Sequence, residues 1–182
     1  MPLSSRFVLR SSIGLLGAGL AALLIIVGMT IWLGERAQSS FGNVTEVSNV
    51  RSIAIDLRNA VQTAESSQRG YIATSNEIYL APFGRAKAQA LRQLQAIERT
   101  RVQQDAPLLM TRLGAAISSK LAEMDESIAL KVARQDERAM ALLRSNRGKA
   151  LMDEIDVLLS GVARAADERL IAAVEEQQAN AA

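Results

Sequence analysis

From Ile13 to Leu33 the chain reads IGLLGAGLAALLIIVGMTIWL, about 21 residues without a single charge. At a rise of about 1.5 Å per residue a helix of this length spans roughly 30 Å, the thickness of a bilayer hydrocarbon core. A cleaved signal peptide would carry a shorter apolar region, about 7–15 residues, followed by small residues at the cleavage point. Leu33-Gly34-Glu35-Arg36 supplies no such point, and the Ala-Gln-Ser slightly further on is a weak one. The run therefore reads as a retained anchor, with Trp32 at its outer end as an interfacial aromatic. The preceding tail carries Arg6 and Arg10 and no acid, which places it in the cytoplasm and everything after the anchor outside. The division expected is a cytoplasmic tail at 1–12, a transmembrane helix at 13–34 and an extracytoplasmic domain at 35–182.

Beyond the anchor, apolar residues recur at helical spacing. Val47, Val50, Ala54, Leu57, Val61 and Ala64 alternate steps of three and four, the seam of a coiled coil or bundle, and predict a helix to about Gln68. Gly70 can take a positive φ and Asn76 is a good N-cap, so a reversal is expected between them. A second helix is predicted from Glu77 to Val102, with Pro82 in its early turns. Asp105 and Pro107 then predict the start of a third helix, whose stripe is Leu109, Leu113, Ile117, Leu121, Met124, Ile128 and Val132. After a short segment capped by Asp136 and a turn at Ser-Asn-Arg-Gly, a last helix runs from near Lys149 to about Gln178. Its seam is Ile155, Leu158, Val162 and Ala165. Four long helices with one apolar stripe each can bury those stripes only against one another. The fold class expected is all-α: one transmembrane helix followed by an antiparallel four-helix bundle of long helices.

Composition removes several function classes. With no Cys there is no disulfide or thiolate metal site, and with no His the commonest general base, metal ligand and phosphoacceptor are missing. Of 21 Lys and Arg, two lie in the tail, so the external part holds as many cations as its 19 acids. It offers no global field for nucleic acid. Ser145 to Ala150, SNRGKA, has one Gly, no hydroxyl residue after Lys149 and no strand before it, so it is a helix-to-helix turn and not a phosphate loop. No nucleophile, base and oxyanion site occur together. Neither catalysis nor a cofactor or metal is expected.

One window stands apart. Between Ser66 and Phe83, SSQRGYIATSNEIYLAPF, lie Tyr71, Tyr79 and Phe83, half of all the aromatic residues. Read with the preceding Ala64 and Glu65, the stretch resembles the signature of a CHASE-type extracellular sensory domain of the third class: an Ala-Glu pair, Gln-Arg-Gly-Tyr, a polar turn, and Tyr-Leu-x-Pro-aromatic. The matching positions are Glu65, Gln68, Arg69, Gly70, Tyr71, Tyr79, Leu80, Pro82 and Phe83. A second match, Arg147 to Ile155, carries Gly148-Lys149 followed by Met152-Asp153, and a looser one covers Asp167 to Ala173. The similarity extends over about 36–178. Ser66-Ser67 stands where the family often has Thr-Gly, and Asp156 where it often has a basic residue. The resemblance implies a bacterial periplasmic input domain on the inner membrane, feeding a histidine kinase or cyclase module that this chain does not contain. An alternative is an anchored bundle that scaffolds or regulates another membrane protein.

Arg69 is the sharpest candidate for holding an anionic ligand, with Tyr71 and Tyr79 as hydrogen-bonding walls and Arg85 nearby in sequence. Against that stands a structural reading, in which Arg69 caps the end of the first helix and the tyrosines pack under the hairpin. The second helix is basic, with Arg85, Lys87, Arg92, Arg99 and Arg101. Its counter-charges are expected among Glu123, Asp125 and Glu126, or Asp153, Glu154 and Asp156. Gly17 and Ala21 form a small-xxx-small pair within the anchor that allows close helix contact, and a homodimer is expected. The nature of any small-molecule ligand is left open by the sequence.

Overall fold

Steps of three and four residues place apolar side chains on one side of a helix, and a chain made of such segments has only packing of helix on helix available. The computed structural model describes residues 5–179, with side chains at 19, 22–30, 45–175, 178 and 179. Six α-helices follow in order: α1 (Ser5–Thr74), α2 (Leu80–Glu98), α3 (Val102–Asp105), α4 (Pro107–Val132), α5 (Asp136–Arg144) and α6 (Arg147–Ala179). A single 3₁₀ turn, Glu77–Tyr79, precedes α2, and no strand occurs among the described residues. The chain divides into two compact units, 1–43 and 44–182.

In the first unit the described side chains of Leu23, Leu24, Ile25, Ile26, Val27 and Met29 are all exposed. Thr30 directs its hydroxyl back onto the Ile26 carbonyl at 2.7 Å, so its one polar group is satisfied within the helix. Among the described residues no helix is long and apolar enough to cross a membrane. Much of the expected span lies outside the described side chains, namely 13–18, 20, 21 and 31–34, and with it the Gly17–Ala21 pair and Trp32. The side chains of Arg6 and Arg10 also lie outside them.

In the second unit the four long segments form an antiparallel bundle. Along α1 and α6 the numbering runs in opposite senses: Arg51 meets Asp167 and Arg58 meets Asp156. Between α4 and α6 the same holds, with Arg112 on Glu154 and Lys120 on the Gly148 carbonyl. α1 and α4 run parallel, as Glu65 with Lys120 and Gln68 with Ser127 require. The expected seams line the core: Val50, Leu57, Val61 and Ala64 of α1, Leu113, Ile117, Leu121 and Met124 of α4, and Ile155, Leu158 and Val162 of α6.

Several local expectations are corrected. α1 does not stop near Gln68 but continues to Thr74, and Gly70 is helical; among the described residues no glycine has positive φ. The reversal is made instead by Ser75 at φ 57°, followed by Asn76, whose Oδ1 accepts the Ile78 N–H at 3.0 Å as expected of an N-cap. The other two sharp ends use Arg134 and Asn146, at φ 57° and 60°. At the first of these the Gln135 N–H reaches back to the Leu130 carbonyl at 2.9 Å, the closure of a Schellman motif. α2 ends at Glu98, short of Val102, and Ala106 rather than Asp105 caps α4; Asp105 pairs with Arg169 of α6. Asp136 does not cap α5, which starts after Gln135, and instead pairs with Lys131 at 2.6 Å. Val132 drops out of the α4 stripe, because the chain leaves the helix there and exposes it.

Candidate functional site

The seam of α4 steps from Leu113 to Ile117, Lys120, Met124 and Ser127, so two polar residues occupy positions that face the core. Lys120 is only 1% exposed, and its ammonium is held from three sides. It donates to Glu65 Oε1 of α1 at 2.9 Å and to the Gly148 carbonyl at the start of α6 at 2.9 Å. Glu123, 3% exposed, approaches it at 3.8 Å. A buried ammonium is tolerated only with partners of this kind. One turn further along, Gln68 Nε2 donates to Ser127 Oγ at 2.6 Å, and that hydroxyl donates to the Met124 carbonyl at 2.8 Å. The polar layer thus joins α1, α4 and α6 where the main core gives way to the smaller cluster of Tyr71, Ile72 and Ala139.

Gly148 is part of this layer by its lack of a side chain. A Cβ there would lie 2.9 Å from Lys120 Nζ and 3.1 and 3.2 Å from the two Glu123 oxygens. Burial pushes the Glu123 carboxyl above its ordinary value. The Lys120 ammonium pulls it down, the Glu65 carboxylate adds to the rise, and the Arg147 and Arg69 guanidinium groups oppose it.

Glu65 also connects the layer to the surface. Its Oε1 accepts from Arg69 at 3.2 Å as well as from Lys120, and Arg69 itself is 55% exposed on its side chain. Outside lies an open groove of about 360 Å³ between α1 and α6, lined by Gln62, Glu65, Ser66, Arg69, Lys149, Met152 and Asp153. Lys149 and Asp153 pair with each other, one turn apart on α6.

The expected site residues do not all meet. Arg69 belongs to the α1–α6 groove, whereas Tyr71, two positions on and so on the opposite side of the helix, is 7% exposed among Ile72 and Ala139. Tyr79 packs on that same cluster with its ring over Gly70. Arg85 is exposed on α2, Pro82 is half-buried in the first turn and Phe83 belongs to the main core. Met152 and Asp153 line the groove with Glu65, so both halves of the sequence signature reach one place. Of the basic residues on α2, Lys87 pairs with Asp125 at 2.5 Å. Arg101 faces Glu46 of α1 at 3.7 Å, and Glu154 and Asp156 serve α4 and α1 instead. Among the described residues no three His, Cys, Asp or Glu side chains are grouped to hold a metal ion.

Residues 42–177 match the family model described as the CHASE3 domain. The chain belongs to the CHASE3 domain family. The fold agrees: the crystal structure of the Rhodopseudomonas palustris histidine kinase HK9 sensor domain superposes with a TM-score of 0.60. The two share 23% identity, over 68% of this chain and 98% of that one, a likeness of fold. No curated protein shows a significant match. Within this CHASE3 domain, the layer around Lys120 is what sequence reasoning missed. The expected stripe runs through Leu121 and Ile128, and the parallel 4-3-4-3 register from Leu113 through Lys120 and Ser127 is the sequence signal for the layer.

A pH experiment tests the electrostatics of the layer. Because the folded protein holds Glu123 above its ordinary value, the folded state binds more protons than the unfolded state between the two values. This contribution to stability therefore falls as pH rises through that window. Glu123→Gln has no such charge to bury. Its melting temperature is expected to match wild type in acid and to exceed it progressively as pH rises from the ordinary glutamate range. A difference that is flat with pH would show that Glu123 is not held by burial.

Proposed function

We propose that this chain is the membrane-anchored, extracytoplasmic input module of a bacterial receptor, with its N-terminus in the cytoplasm, and that it has no turnover of its own. The observation that carries the reading is the CHASE3 match over residues 42–177, placed directly after the uncharged run at 13–33. The exposed aliphatic side chains from Leu23 to Met29 support the anchor, since such a face is stable in hydrocarbon and costly in water. The output is a histidine kinase or cyclase, in cis or in trans, and the receptor works as a homodimer. The HK9 likeness supports the kinase form.

Signalling on this reading is a change of packing between α1 and α6. These helices run antiparallel, so the end of the bundle where α1 enters is also the end where α6 leaves. Cross-helix pairs such as Arg51–Asp167 and Arg58–Asp156 are exposed and individually weak, about 0–1 kcal/mol each. A small slide of α1 along α6 can exchange them at little cost, the kind of shift that packed helices make.

Joining alkaline phosphatase, which is active only outside the cytoplasm, after Ala182 tests the anchor and its orientation. The fusion is expected to be active and to sediment with membranes, while a fusion after residue 12 is inactive. Activity that is absent, or found in the soluble fraction, overturns the reading.

A further inference from the structure

Elsewhere along the α1–α6 boundary the cations reach across to the opposite helix, Arg51 to Asp167 and Arg58 to Asp156. At the groove this pattern lapses. Arg69 closes onto Glu65 of its own helix and Lys149 onto Asp153 of its own, leaving the space between them unbridged. We propose that this groove binds a small zwitterion carrying a carboxylate and an ammonium group, and that the buried Lys120 registers its arrival through Glu65. The proposal deepens the sensory reading above and rests on it.

The charges decide the chemistry. Arg69 and Lys149 face Glu65 and Asp153, so the lining is neutral in sum and favours a ligand that is neutral in sum. Arg69 is the cation most easily released, because Glu65 keeps Lys120 at 2.9 Å when Arg69 turns away. Opening this exposed pair, or the Lys149–Asp153 pair, costs about 0–1 kcal/mol. The freed guanidinium offers two parallel N–H donors to a carboxylate, and the freed Asp153 carboxylate accepts from an ammonium. A simple anion gains the first contact but meets Asp153; a simple amine gains the second but meets Arg69. The volume of about 360 Å³ suits a small metabolite, with buried Met152 as an apolar floor.

Binding then acts inward. With Arg69 drawn to the ligand, Lys120 becomes the remaining cation on Glu65, while still holding the Gly148 carbonyl of α6 and facing Glu123. α1 and α6 are tied through α4 at the level where the ligand sits between them.

The test is thermal unfolding of the full chain in mild detergent, with each of the twenty common L-amino acids supplied singly at millimolar concentration. Propionate, glutarate, ethylamine and inorganic phosphate serve as the probes that lack one of the two charges. At least one amino acid is expected to raise the melting temperature saturably. Titration calorimetry should show its affinity falling tenfold or more in Arg69→Gln and in Asp153→Asn, and unchanged in Arg92→Gln on α2. An equal response to propionate or phosphate overturns the zwitterion, as does no response to any amino acid. The phosphatase fusion is indifferent to binding: an active fusion without binding overturns the ligand alone, whereas an inactive one overturns the sensory reading beneath it.

Discussion

Replacing Lys120 with Met is expected to lower the unfolding free energy by about 3–5 kcal/mol, the largest effect of any single polar substitution in the bundle. Met keeps most of the aliphatic stem and removes the ammonium, so the loss isolates charge from packing. Three groups lose a partner at once: the Glu65 carboxylate at 2.9 Å, which keeps only Arg69, the Gly148 carbonyl at 2.9 Å and the nearby Glu123 carboxylate. Glu123 is 3% exposed, so the carboxylate left behind has little access to water. In a domain of this size each kcal/mol moves the midpoint by about 2–4 °C, so a fall of roughly 10 °C is expected in thermal unfolding followed by circular dichroism. The loss is expected to shrink in acid, where Glu123 takes up a proton, and to be partly recovered at neutral pH by adding Glu123→Gln. A Lys120→Met protein within about 1 kcal/mol of wild type would mean that the layer is relaxed and wet.

The way Lys120 escaped the sequence reading shows where such reading stops. A seam of Val50, Ala54, Leu57, Val61 and Ala64 is legible because apolar residues at steps of three and four have one stable use, and the structure buries all of them. The same rule discards a lysine by default, since a lone ammonium belongs in water. Only the meeting of Glu65, Glu123 and Gly148 from three helices reverses that default, and their separation in sequence hides the meeting. The corners were half legible for a related reason. Asn76 announces itself because its side chain bonds its own backbone two residues on. Ser75 takes the positive φ expected of Gly70, and Arg134 and Asn146 take it at two further corners, because closure of the helix end outweighs the modest steric cost at a single position. Of the candidate site, Arg69 was found from its motif. Lys149, Met152 and Asp153 were marked by the second motif, but their meeting with Arg69 was not, since nothing in either stretch says that the two lie side by side.

Gly70 was expected to turn the chain and is instead a contact, which leads to a substitution whose sign depends on its neighbour. In the interior of α1 the change Gly70→Ala should by itself stabilise by about 1 kcal/mol, because alanine is the better helix former. The new methyl, however, would sit 2.7 Å from two ring carbons of Tyr79 and 3.0 Å from a third. That ring is held by the cluster of Tyr71, Ile72 and Ala139, so relief requires the 3₁₀ turn at Glu77–Tyr79 to lift away from α1. Crowding of this kind costs about 1–3 kcal/mol. Gly70→Ala is therefore expected to destabilise the wild-type protein, and to stabilise a Tyr79→Ala protein in which the ring is gone. The double-mutant cycle should return a coupling of about 2 kcal/mol, well outside the few tenths expected of independent sites. If Gly70→Ala stabilised both backgrounds equally, Tyr79 would be free to swing outward and the contact would have no energetic weight. The opposite signs would instead mean that Gln-Arg-Gly-Tyr and the following Tyr form one steric unit. Its glycine admits the ring that pins the hairpin, and the pinned hairpin fixes the turn of α1 on which Glu65, Gln68 and Arg69 stand.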